Sequence, residues 1–377
     1  MKKTGLAFLV IFFLCSGCRS MQVQSMETPA PGISGTDTGS AETGPAGQSS
    51  LAEPSSPADI NPAELSDQAE SPSAPEADAG LPVSVFNEIW AYLINGSEEA
   101  LLPEYPVSDL GYFGAELDSY GHLINVPDPK KISFFKGRVH LVVACNGRAL
   151  THFVLMEGSR ERKQLIADLL EAAKPFDGIN IDFEYVPQKD GSAFLSFIKE
   201  LRKGLKGKML SIAVPARTRT LRDDVYDYGK LKDNADRILV MAYDEHWSGS
   251  EPGPIASMGW CRQVARYSLD TIGVDKLIMG LPFYGRSWGD FNPNRAFFNS
   301  GIERIKSEQG ITEVNREDSI PTFSYQTVIS ITVYYEDELS LTDRLQMYLQ
   351  QGVIRAGFWC LGQEAPGIWP LLKLSAR

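Results

Sequence analysis

Histidine is scarce in this 377-residue chain: His122, His140, His152 and His246 are the full set, and they share no metal-ligand spacing. Cysteine is scarce too: besides Cys15 and Cys18 at the N-terminus there are Cys145, Cys261 and Cys360, an odd count at wide spacing with no CxxC pair among them. That argues against a zinc site and against a disulfide framework. Positive charge is in deficit. The 36 basic residues against 48 acidic ones give a net charge of −12, and no basic stripe offsets it, so nucleic acid is not an expected partner. No glycine-rich phosphate loop follows an early apolar strand, which disfavours a doubly wound open sheet built around a nucleotide. No metal and no cofactor is expected.

The N-terminus is a different material from the rest. Met1–Cys18 opens with Lys2 and Lys3, continues through the apolar run Leu6–Leu14 and ends in small residues. An apolar run this short reads as an export signal rather than a permanent span, which needs about 20 residues. The segment Leu14-Cys15-Ser16-Gly17-Cys18 resembles the lipobox of bacterial lipoproteins, with Cys15 where that pattern has leucine. The resemblance implies lipidation of Cys18 and anchoring of an exported protein to the cell membrane, facing the periplasm or the cell surface. Residues 19–80 hold no Phe, Tyr or Trp and carry ten acids against Arg19 alone, a charge of −9. Such a segment cannot bury enough apolar surface to offset its ordering entropy, so it is expected to be a disordered tether. Its root-mean-square span would be about 45 Å. With +2 from the signal, −5 of the total of −12 remains for residues 81–377.

From residue 81 onward, apolar runs alternate with amphipathic ones. Strands are expected at Glu88–Ile94, Leu110–Glu116, Arg138–Cys145, Gly178–Tyr185, Leu210–Pro215, Arg237–Tyr243, Lys276–Pro282 and Val353–Leu361. Several are continuously apolar, as strands buried on both faces of a parallel sheet must be. Helical periodicity marks Arg160–Ala173, Ala193–Leu205, Ser257–Ile272 and Leu341–Gln350, the last opened by Ser340 as a plausible N-cap. Eight strands alternating with helices favour an α/β fold closed into a (β/α)₈ barrel. Residues 291–335 are long for one connection and contain a β-like run, Tyr325–Tyr335, so they read as an insertion after the seventh strand.

Catalytic groups of such barrels come from the C-terminal ends of the strands. The run Asp177-Gly178-Ile179-Asn180-Ile181-Asp182-Phe183-Glu184-Tyr185 places Asn180, Asp182 and Glu184 on one strand face and Ile179, Ile181 and Phe183 on the other. Two inward carboxylates side by side are costly to bury unless they do chemistry. Their repulsion raises one pKa and keeps a proton available, which is what cleavage of a glycosidic bond needs.

That run resembles the signature of glycoside hydrolase family 18, the chitinase-like barrels, with Asn180 in place of the middle aspartate. Met241-Ala242-Tyr243-Asp244 resembles the family's sixth-strand motif, Leu281–Trp288 its seventh and Gly357-Phe358-Trp359 its eighth. The Asn variant, with Tyr243-Asp244-Glu245-His246-Trp247 and Leu361-Gly362-Gln363-Glu364, is more similar to the bacterial cell-wall and spore-cortex N-acetylglucosaminidase branch. The family is substrate-assisted rather than built on two protein carboxylates. The resemblance therefore implies that Glu184 is the acid/base, that Asp182 orients and stabilises the substrate's attacking acetamido group, and that Tyr243 hydrogen-bonds its oxygen. Asp177 would support the strand, and Trp359 would form the floor of the sugar site. Met241, Asp244, Tyr92 and Tyr284 are further candidates for substrate contact. Asp244 could instead pair with Arg286. Trp247 and Trp288 are expected in loops at the cleft, and Trp90 against the helices.

Three functions stay open on this basis: a hydrolase of peptidoglycan glycan strands, a chitinase, or a non-catalytic sugar-binding relative. All three take a polysaccharide partner.

Overall fold

The computed structural model describes residues 80–289, 295–327 and 330–376. The export signal, the tether up to residue 79 and Cys18 lie outside the described residues. Among those described, eight parallel strands form the barrel: β1 (Glu88–Ile94), β2 (Asp109–Leu117), β3 (Arg138–Ala144), β4 (Gly178–Asp182), β5 (Met209–Pro215), β6 (Arg237–Met241), β7 (Leu277–Pro282) and β8 (Arg355–Trp359). Their order around the sheet is β1-β8-β7-β6-β5-β4-β3-β2, and pairing of β1 with β2 closes the ring. The expected (β/α)₈ barrel is the fold.

Helices α1 (Arg148–Leu155), α2 (Arg160–Ala172), α3 (Gly191–Gly204), α4 (Tyr228–Lys232) and α5 (Met258–Ile272) follow β3 to β6. The outward faces of the strands pack under them. Phe183, just past β4, stacks on Phe194 and Phe197 of α3 at ring-centroid distances of 6.4 and 5.7 Å. A separate apolar cluster of Trp90, Tyr92, Val142, Leu239, Ile278 and Cys360 fills the barrel interior. Trp90 therefore points inward, not against the helices. Its indole stacks on His140 at 4.4 Å and donates to Glu88, because it shares the face of Glu88 and Tyr92 at two-residue spacing. Small residues make room for these large ones: a Cβ at Gly111 would stand 2.9 Å from the Tyr92 ring.

The N-terminal mouth of the barrel is sealed by ion pairs. Glu88 meets Arg237, Arg355 and Arg138, and Asp109 meets Arg138 and His140. Burial alone would raise the Glu88 carboxyl, but hydrogen bonds from Arg237 and Trp90 and the nearby guanidinium charges outweigh it and hold its pKa at about 2.

The insertion starts earlier than residue 291. Gly285–Gly289 leaves β7 to enter an antiparallel sheet with Arg295–Phe297, Asn315–Glu317, Ile320–Gln326 and Ser330–Tyr334. Helix α6 (Asn299–Gln309) covers one face of that sheet, where Ile302 and Ile305 meet Phe323, Val333 and Tyr335. The chain then returns through α7 (Glu338–Gln350). This helix starts before Leu341: Asp337 is its N-cap, in a reciprocal capping box with Ser340.

Candidate active site

At the C-terminal end of the barrel lies a cleft of about 420 Å³ lined by Tyr92, Asp182, Glu184, Tyr185, Ala213, Pro215, Ala216, Met241, Tyr243, Asp244, Trp247, Trp260 and Trp359. Eight of the residues singled out in the sequence meet in it: Tyr92, Asp182, Glu184, Met241, Tyr243, Asp244, Trp247 and Trp359.

The two carboxyls arrive from β4. Its ladder to β5 runs to Ile181 and its ladder to β3 to Asp182, so Ile181 is the last residue held on both sides and Asp182 the last held at all. Glu184 stands beyond it in a turn, because the strand ends three residues before Tyr185, where the sequence pattern ends it. Asp182 is buried, and its Oδ1 has no hydrogen-bond partner among the described residues. Burial, and then the charge of Glu184, push the Asp182 carboxyl well above the usual carboxylate range.

Asn180 lies one step further in and is fully buried. Its Oδ1 accepts from the Tyr92 hydroxyl at 3.1 Å and its Nδ2 donates to Ser211 Oγ at 2.8 Å. Both ends of the amide are thus used, which fixes its orientation by hydrogen bonding. Asn180→Asp would place a third carboxylate beside the pair. Like charge disfavours ionisation, so the acidic limb of the pH–rate profile is expected to move to higher pH; an unchanged limb would show that position 180 is not coupled to the site. Asp177, at the opposite end of β4, accepts from the Val139 amide at 2.8 Å, a contact that ties β4 to β3 away from the cleft.

Aromatic residues form the walls. Tyr92 and Phe113 flank Trp359 at 5.3 Å each, the second edge-on, leaving Trp359 half-buried with a surface toward the cleft. Trp247 is 43% exposed at the rim, as a loop tryptophan at a sugar cleft should be. Trp288 is not in such a loop: it is buried in the Gly285–Gly289 strand against Ile320 and Tyr334. Its indole nitrogen donates to the Trp247 carbonyl at 3.3 Å, so it braces the rim from behind. Tyr284 is 1% exposed and stands back from the cleft, its hydroxyl bonded to Asp244 and its ring edge-on to Tyr243 at 6.4 Å. Asp244 also accepts from Arg286 Nε and Nη2 at 3.0 and 2.8 Å, so the ion pair exists and its carboxylate still reaches the cleft.

Trp260 escaped the sequence reading. Ser257 caps α5 by accepting from the Trp260 amide, and the first turn of that helix then presents the indole to the cleft. It lies within the amphipathic pattern Ser257–Ile272, where no motif distinguishes it. Ala213, Pro215 and Ala216 of the β5 end are small or rigid and carry no chemical signal in sequence, yet they shape the same floor. Among the described residues no cluster of three or more His, Cys, Asp or Glu side chains could hold a metal ion, and Cys145, Cys261 and Cys360 are buried free thiols. The arrangement offers paired carboxyls, a phenol and a bed of indoles: proton transfer beside an apolar surface on which a sugar ring can stack.

Residues 114–364 match the family described as glycosyl hydrolases family 18. The chain is 30% identical over 237 residues to a protein of Bacillus subtilis (strain 168) named uncharacterized glycosylase YvbX, a match covering 59% of this chain and 69% of that one. It is 25% identical over 239 residues to the cortical fragment-lytic enzyme of Bacillus anthracis, covering 59% of this chain and little more than half, 55%, of that enzyme. In fold, it resembles the crystal structure of the Bacillus cereus spore cortex-lytic enzyme SleL, with a TM-score of 0.69, 21% identity and coverage of 78% and 76% of the two chains.

Proposed function

This chain belongs to glycosyl hydrolase family 18, and from that premise we propose that it cleaves N-acetylhexosamine glycans, peptidoglycan foremost, by substrate-assisted catalysis with retention. The observation that carries the reading is the buried Asp182 Oδ1, which has no partner among the described residues and lies in the cleft beside Glu184. A buried carboxylate oxygen with no partner is costly, and the cost is relieved by a ligand that brings an N–H donor. The acetamido group of the sugar is such a donor. Its carbonyl oxygen attacks the anomeric carbon while the Glu184 carboxyl gives its proton to the departing glycosidic oxygen. The C–O bond to the leaving sugar breaks as the ring bond forms, giving a cyclic oxazolinium ion. Asp182 accepts the acetamido N–H and balances the growing positive charge. Tyr243 donates to the acetamido oxygen. Water then opens the ion, its proton passing to Glu184, and the second displacement restores the original configuration.

Peptidoglycan is favoured over chitin by the cortex-lytic relatives and by an expected lipid tether that would hold the enzyme within reach of the wall. Released products from purified peptidoglycan and from chitin oligosaccharides separate the two. Products from chitin alone would reverse the assignment, and none from either would favour a sugar-binding protein. Trp359→Ala should raise KM about tenfold with a smaller change in kcat, since a stacked ring contributes on the order of 1 kcal/mol or more. A KM equal to that of the parent would remove Trp359 from the sugar floor.

The membrane anchor is likewise proposed from the lipobox resemblance. Cys18→Ala is expected to shift the protein from the membrane to the soluble fraction; continued membrane association of that variant would refute lipidation there.

A further inference from the structure

The turn that carries Glu184 begins where the barrel ladder stops. Past Asp182 the backbone no longer has a strand on either side, so its polar groups need partners from elsewhere. One side chain supplies two of them. The hydroxyl of Tyr226 donates to the Phe183 carbonyl at 2.6 Å and accepts from the Val186 amide at 3.2 Å. These groups lie one residue before Glu184 and two residues after it. Tyr226 is 5% exposed and comes from the β5–α4 connection, a different part of the chain from the turn it holds. Its ring is fixed edge-on against Phe194 at 6.0 Å. Its own amide donates to Asp224 Oδ1 at 3.1 Å, and Asp224 is in turn gripped by Arg217 Nε and Nη2 at 2.7 and 3.1 Å.

We propose that Tyr226 is a positioning residue for the catalytic acid: its hydroxyl clamps the Phe183–Val186 turn and so sets the reach of the Glu184 carboxyl toward the glycosidic oxygen. The inference rests on Glu184 being the proton donor. Tyr226 touches no substrate and acts through the backbone of the turn. The Arg217–Asp224 pair holds the clamp in place from behind. Buried phenol hydroxyls of this kind are costly to remove, because both backbone partners are left unsatisfied. The loss from a merely structural defect, however, falls equally on every substrate. A misplaced acid harms only those substrates whose leaving group needs a proton.

The test is kcat/KM, which reports the bond-breaking step, for two aryl glycosides of the same N-acetylated sugar. One has a dinitrophenol leaving group, which departs without protonation, and one has an unactivated phenol. Tyr226→Phe in the full chain is expected to lower kcat/KM about 10- to 100-fold on the unactivated substrate, the range expected for an ångström-scale misplacement, and to leave the dinitrophenyl substrate within about threefold of the parent. Asp224→Asn, at a less buried position, should show the same selectivity in weaker form and serves if the first variant does not fold. Equal losses on both substrates, or no loss on either, would overturn the proposal. Glu184→Gln measured alongside separates the two ideas. If that variant discriminates between leaving groups and Tyr226→Phe does not, the clamp fails and the acid assignment stands. If Glu184→Gln does not discriminate, the acid assignment itself fails.

Discussion

Replacing Glu184 by glutamine is expected to reduce kcat/KM on natural glycans and other poor leaving groups by about 10²- to 10⁴-fold, the range of general acid catalysis. The amide is nearly the same shape as the carboxyl, and Glu184 stands in a turn outside the barrel ladder, so the melting temperature should stay close to that of the parent. A neutral amide also removes the charge that helps to raise the Asp182 carboxyl. The Asp182 pKa should therefore fall, and the acidic limb of residual activity on an activated substrate should move to lower pH. Full activity of Glu184→Gln on unactivated substrates would mean that another group gives the proton.

Much of this site could be read from residue order alone, for physical reasons. The eight barrel strands are buried on both faces, and continuous apolar runs bounded by polar residues leave little choice of element. Asn180, Asp182 and Glu184 stood out because charge interrupts such a run at two-residue spacing. The same property hid the orientation of Trp90. Where both faces of a strand are apolar, periodicity does not say which face is the interior, and the ring that Trp90 stacks on, His140, comes from β3, a different strand. Tyr284 and Trp288 were placed near the sugar by a motif read as the end of a strand. The chain instead turns at Gly285 into the insertion sheet, which draws both side chains behind the wall. The end of β4 was set too late because the ladder depends on how far β3 and β5 extend, a property of their registers rather than of residues 183–185. Trp260 and Tyr226 act on the site across long loops or from a helix start, and such contacts leave no local pattern.

A matched pair of oligosaccharides, identical except for an N-acetyl group or a free amine on the sugar whose bond breaks, tests the catalytic assignment most directly. An ammonium can neither attack the anomeric carbon nor close the oxazolinium ring, and the only other carboxyl on the strand face of Glu184 is Asp182, assigned here to the acetamido N–H. The chemistry then lacks the nucleophile that the acetamido group supplies. Turnover of the amine is expected to fall below detection while the acetylated partner is cleaved, with the first-formed product retaining its anomeric configuration by NMR. Rapid cleavage of the amine, or an inverted first product, would contradict substrate assistance and leave the barrel and its family without this mechanism.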